Sequence, residues 1–227
     1  SQPSEVTLPV LIKICQSHKH PLLLRNAVFI LRCFNNPEVV PVLRDLLTKT
    51  KDKVVRNRAL AALTRWQDKE IVPWLTKALT GSDVVFRSYA LWALGRIGST
   101  EAIDPIIEHV KSNLKDRETL WAALPALGWI ADDSMVDHKK KIEDFLISIQ
   151  VQVSAIPEPL GYDGRYTKLE APDPPQASKS ILDQRLMMTL VRCGHSPSIE
   201  AFKKWTYSDV IRSNMDLYGE TLRRVPP

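Results

Sequence analysis

Pro9, Pro41, Pro73 and Pro105 stand 32 residues apart, three times in succession, and few folds are compatible with that spacing. A fixed period of about 30 to 40 residues marks a repeat array in which each unit stacks on its neighbours. Two amphipathic stretches lie between successive prolines, so the unit reads as a helical hairpin. The chain thus specifies a scaffold, and what it binds has to be read from the face left over once the core is assigned.

The second stretch of each unit falls into register. Repeat two reads VVRNRALAALTRW from Val54 to Trp66, and repeat three reads VVFRSYALWALGRIG from Val84 to Gly98. Ala59, Leu60, Leu63 and Trp66 recur as Ala90, Leu91, Leu94 and Ile97. Repeat four supplies Ala123, Leu124, Leu127 and Ile130, and repeat one Ala27, Val28, Leu31 and Phe34. Their spacing puts each set on one stripe of a helix. That stripe is the expected core, and its small alanines allow close helix approach.

A fifth unit is masked by an insertion. Arg185–Gly194 (RLMMTLVRCG) aligns without a gap to Tyr89–Gly98. Its first helix is expected from Met135 to about Gln150. Between the two helices, Ala155–Lys179 carries five prolines and two glycines, a composition that excludes a continuous helix. This segment, 155–179, reads as a Pro-rich insertion loop with Leu160, Tyr162 and Tyr166 as anchors. A sixth, degenerate unit over 196–227 reads as a capping repeat. Asn36, Asp68 and Ser99 are expected to cap first helices, and Pro125 should bend the second helix of repeat four.

With 44% apolar and 25% charged residues the composition is that of a soluble globular protein. The net charge of +5 tolerates an acidic partner without marking a dedicated polyanion binder. No apolar run reaches the roughly 18 residues of a membrane span. The first residues do not form a signal peptide, although a start at Ser1 leaves open a removed leader or a longer parent protein. Cytoplasmic location is favoured, with Cys15, Cys33 and Cys193 as buried thiols; a Cys15–Cys33 disulfide is the alternative.

Helical pairs of this length, with a proline early in the first helix, resemble HEAT repeats. The resemblance also rests on the D-x-V-R steps at Asp52–Arg56 and Asp83–Arg87 and on the following A-L-x-A-L-G-x-I-G. It is nearest to the short bacterial type also called phycobilisome-lyase-like and runs from about Pro9 to Gly194. It implies an all-α, right-handed α-solenoid of five to six hairpins, spanning residues 1–227. It also implies that Asp52, Arg56, Asp83 and Arg87 tie neighbouring loops together, and that second helices line the concave side.

No catalytic constellation stands out, so no enzyme activity, cofactor or metal is expected. Glu108–His109 reads as a pair on a solvated helix face, and His18, His20 and His195 lack metal-ligand spacing. What remains is a second stripe on the second helices. Arg65 recurs as Arg96, Trp129 and Arg192, with Cys33 in repeat one. One turn earlier stand Phe29, Ala61, Trp92, Pro125 and Met188, and before them Asn26, Arg58, Tyr89, Ala122 and Arg185. Arg and aromatic residues are the types enriched where binding energy concentrates. The expected partner-binding residues are therefore Arg58, Arg65, Tyr89, Trp92, Arg96, Trp129, Arg185, Met188 and Arg192. They would bind a protein or peptide of acidic and apolar character. Nucleic-acid binding of the DNA-glycosylase kind and a chromophore-lyase or chaperone role stay open as alternatives.

Overall fold

The computed structural model describes residues 3–17, 20–132, 134–156 and 181–203. Among these residues every regular element is helical, and the helices pair along the chain. Repeat one is α1 (Pro3–Ser17) with α2 (Pro21–Leu31), and repeat two is α3 (Val39–Lys49) with α4 (Lys53–Arg65). Repeat three is α5 (Val72–Ala78) with α6 (Val84–Ile97), and repeat four is α7 (Ile103–Ser112) with α8 (Arg117–Asp132). Repeat five is α9 (Val136–Ser154) with α10 (Ile181–Cys193), and α11 (Ser196–Lys203) follows. The second helices α2, α4, α6, α8 and α10 stack in that order, each touching the next. This is the all-α solenoid that the period implies. The segment 157–180 and residues 204–227, which hold most of the insertion and the rest of the cap, lie outside the described residues.

The periodic prolines fall in the first turn of their helices or, in α1, slightly deeper. The first turn has no helical acceptor for its N–H groups, so a missing N–H costs little there. The expected caps need correction in detail. Asp68 and Ser99 precede single 3-10 turns, Lys69–Ile71 and Thr100–Ala102, rather than the α-helices themselves. Ser99 makes no side-chain capping bond, and Asn36 accepts from the N–H of Glu38, the residue just before α3. Helix α8 runs unbroken through Pro125. The first helix of repeat five extends to Ser154, past the expected Gln150.

The core is where the register places it. Ala59, Leu63, Ala90, Leu94, Ala123 and Leu127 are all fully buried, whereas Phe34 and Trp66 are only partly so. The alanines matter because they set the helix spacing. Between α6 and α8 the approach is closer still: a Cβ added at Gly95 would stand 2.5 Å from the Ala126 Cα. Gly128 on α8 similarly receives Thr189 and Arg192 of α10. At the end of α6 Gly98 takes the left-handed conformation, φ 72°, that ends a helix with little strain only when the residue is glycine.

A second bond set runs along the loops. Asp52 caps α4 by accepting from the Val54 and Val55 N–H groups, and receives Arg25 of α2 at 2.8 Å. One step on, Asp83 caps α6 and receives Arg56 of α4 at 2.9 Å. Between the first helix of repeat two and the turn before α5, Arg44 forks onto Asp68 at 2.5 and 2.6 Å. Each aspartate therefore satisfies its own helix N-terminus and anchors an arginine of the preceding unit. The pattern stops at the next junction. Arg87 donates to the Gly81 carbonyl, and Asp116 accepts from Thr119 and Glu118 instead.

The cysteines depart from expectation at one position. Cys15 and Cys193 are buried, with burial pushing their thiols up to about 11 and about 12, but Cys33 is exposed and no disulfide forms. Cys33 directly follows the end of α2, on the same face as the exposed Phe29 one turn earlier.

Two outcomes follow from this packing. Gly95→Ala should lower the melting temperature, although alanine gains about 1 kcal/mol in helix propensity, because its methyl would meet backbone. A variant as stable as wild type in thermal unfolding would remove the close-approach argument. The Arg56 guanidinium and the Phe86 N–H hold Asp83 down at about 2, below the roughly 4 of an unfolded carboxylate. The stabilisation is complete above about pH 4 and is lost as pH falls toward 2. Asp83→Asn should flatten that part of the acid-unfolding curve, as followed by circular dichroism.

Candidate functional site

The expected binding stripe divides into an exposed part and a buried part, and helix order decides which is which. On α6, Tyr89 and Trp92 are 45% and 39% exposed, and Arg96, one turn beyond Trp92, is exposed too. On α4, Arg65 is exposed and Arg58 half-buried. Trp129 of α8 is half-buried under the Arg96 guanidinium, which lies 5.5 Å from its ring centroid. That contact joins α6 to α8 across the face and has the geometry of a cation–π pair.

Arg185, Met188 and Arg192 are not on this surface. All three are buried, Met188 to 1% exposure. On α10 the arginines of the stripe turn back onto α8, whereas on α6 the same stripe stays open. Arg192 makes a buried ion pair with Asp132 at the end of α8. Arg185 lies over the Trp121 ring at 3.6 Å and donates to the Trp121 carbonyl. Burying an arginine is prohibitive only where it lacks a partner, and these two have partners on the neighbouring helix.

The exposed arginines also brace the stack. Arg58 donates to the Arg25 carbonyl, and Arg65 to the Arg32 carbonyl at 3.2 Å. Arg32 ends α2, so Arg65 places its charge at the negative end of that helix, where a cation is stabilising. Arg58 and Arg32 both approach the ring of Phe29, at 5.4 and 4.7 Å. Phe29 is 47% exposed and stands at the position of Trp92. It was legible as a member of the stripe, but a phenylalanine in the first unit gave no reason to rank it with the tryptophans. Trp121 was missed because it falls between the two stripes.

The Glu108–His109 pair is not a solvated face either. Glu108 is exposed, but His109 is half-buried, with burial holding its pKa below the ordinary histidine value; Arg87 adds to this and Asp116 opposes it. Asn113 donates to the His109 carbonyl at 2.8 Å. His195 Nδ1 lies 2.8 Å from the Ser198 hydroxyl at the start of α11, and His20 precedes α2 without a capping bond; His18 lies outside the described residues. Among the described residues there is no group of three or more His, Cys, Asp or Glu side chains placed to hold a metal, and no helix long and apolar enough to cross a membrane.

The hairpin period, the aspartate–arginine steps and the stacked second helices define the class. The family model described as HEAT repeats matches residues 8–83, 44–116 and 72–141, three overlapping windows that together take in more than half of the chain. The chain belongs to the HEAT-repeat family. Comparison with curated proteins finds no match. HEAT repeats are commonly protein-interaction scaffolds, and that is the kind of function the family supports here.

Removing a buried charge and removing a surface charge should therefore differ sharply on this stripe. Arg192→Ala, which leaves Asp132 buried, should cost about 3 to 5 kcal/mol in denaturant unfolding, whereas Arg65→Ala should cost no more than about 1 kcal/mol. Equal losses would mean that the two arginines share one environment after all.

Proposed function

We propose that the chain is a non-enzymatic interaction module and that its binding face is centred on Tyr89, Trp92 and Arg96 of α6. Arg58, Arg65 and Phe29 extend it on one side and Trp129 on the other. The partner is an extended protein segment with acidic and apolar side chains. The observation that carries this reading is the exposure of Tyr89 and Trp92 on a stripe that bears no lysine or glutamate. A merely solvated face would be filled with those residues, whereas interface centres are enriched in Trp, Tyr and Arg.

The chemistry of the partner follows from the same side chains. The aromatic faces provide apolar area with little rotamer entropy to lose. The arginines, already oriented by carbonyls and rings of the neighbouring helix, can accept carboxylates without first being immobilised. Arg185 and Arg192 do not contribute, since they hold α10 on α8, nor does the buried Met188.

The test is selection of binding peptides from a random display library by the wild-type chain. Trp92→Ala should weaken the selected peptides by about 2 kcal/mol or more while leaving the melting temperature unchanged. An Arg65→Glu, Arg96→Glu double variant should abolish acidic preference. Peptides that bind both variants as well as wild type would place the site elsewhere. A steep loss of affinity with salt for single-stranded or duplex DNA, with no peptide selected, would replace this reading by nucleic-acid binding.

A further inference from the structure

The stacking geometry marks each second helix with two sides, one toward the preceding unit and one toward the following unit. Two junctions identify the side that faces backward. Ala126 of α8 meets Gly95 of α6, and Thr189 of α10 lies against Gly128 of α8 and donates to the Leu124 carbonyl. Ala126 and Thr189 are equivalent positions, and the others in the same register are Ala93, Ala62 and, in α2, Ile30. The first four are at most 2% exposed, but Ile30 is 42% exposed.

A second position behaves in the same way. Phe86 of α6 is covered by the Arg56 guanidinium of the preceding unit, 3.9 Å from its ring centroid. Its equivalents Val55, Thr119 and Leu182 are also buried, whereas Leu23 of α2 is 53% exposed. On the first helices, Val42 and Ile106 are buried and Trp74 partly so, whereas their equivalent Val10 is 52% exposed. Ile30, Leu23 and Val10 are thus three large apolar residues at positions the rest of the array covers. The repeat's own rule for an outermost face is a polar one.

We propose that this face of α1 and α2 binds one more helical hairpin of the same repeat type, whose second helix lies along α2 as α6 lies along α8. The surface is separate from the binding face proposed above. Its occupant follows from continuity with the four junctions already in the stack: in every following unit the residues of the same two rows are buried, and at two junctions the first row lies directly on the preceding second helix. Ile30 is larger than Ala126, so the occupant's second helix stands further from α2 than α6 does from α8 and offers a glycine at the Gly95 position. The occupant also needs no ladder arginine, since His20 stands where Asp52 and Asp83 receive theirs.

The probe is a copy of residues 67–98 grafted directly before Pro3 in the full chain, so that Gly98 of the graft runs into Pro3 in the register in which it runs into Ser99. The graft should raise the melting temperature by roughly 5 °C or more and slow amide exchange in α2. Leu23→Glu with Ile30→Glu should leave the ungrafted chain folded and cancel both gains in the grafted one. A graft that gives neither gain overturns the proposal. So does a dimer of the ungrafted chain in sedimentation that Leu23→Glu dissociates, because the face would then serve a second copy.

Discussion

The distance at which one second helix can approach the next governs this molecule. Ala62, Ala93 and Ala126 bring the helices close, and at Gly95 the approach leaves no room even for a methyl group. On α6 the side chains one row out from this contact remain on the open face. Tyr89, Trp92 and Arg96 are in that row on α6. The candidate binding face thus borders the closest core contact on α6, small residues inside and large ones at its edge.

Electrostatics then fixes the register of the units. Asp52 and Asp83 each do two jobs, capping a helix and holding an arginine of the unit before. Either job alone is worth little at a surface; combined, they make sliding of one hairpin along the next cost two interactions at once. The same economy appears on the open face, where Arg58 and Arg65 donate to carbonyls of α2 and still present charge to solvent.

The period made the core legible, because a buried stripe repeats with the helix and with the unit. Ala90 and Leu94 could be assigned from spacing alone. The face was legible only in part, because exposure depends on which neighbour covers a helix and not on the helix itself. Arg96 and Arg192 occupy one register position; the first meets Trp129 at the surface and the second finds Asp132 in the interior. Nothing in the local sequence of α10 signals this, since Asp132 lies 60 residues away along the chain. His109 was misplaced for the same reason: its neighbours Arg87 and Asp116 belong to other elements.

The missing rung at the third junction has a mechanical meaning. At the first two junctions the stack is fastened twice, by helix packing near the axis and by Arg25–Asp52 or Arg56–Asp83 at the rim. Between α6 and α8 the arginine–aspartate rung gives way to bonds within each unit, Arg87 to the Gly81 carbonyl and Thr119 to Asp116, while at Gly95 the axial contact leaves no room for a methyl group. A joint held tightly at its centre and without that rung at its edge can turn more easily than its neighbours. Under a load that bends or stretches the solenoid, rotation is expected first between repeats three and four. Such a rotation would change the angle between Arg96 and Trp129 and so couple tension along the array to the shape of its open face.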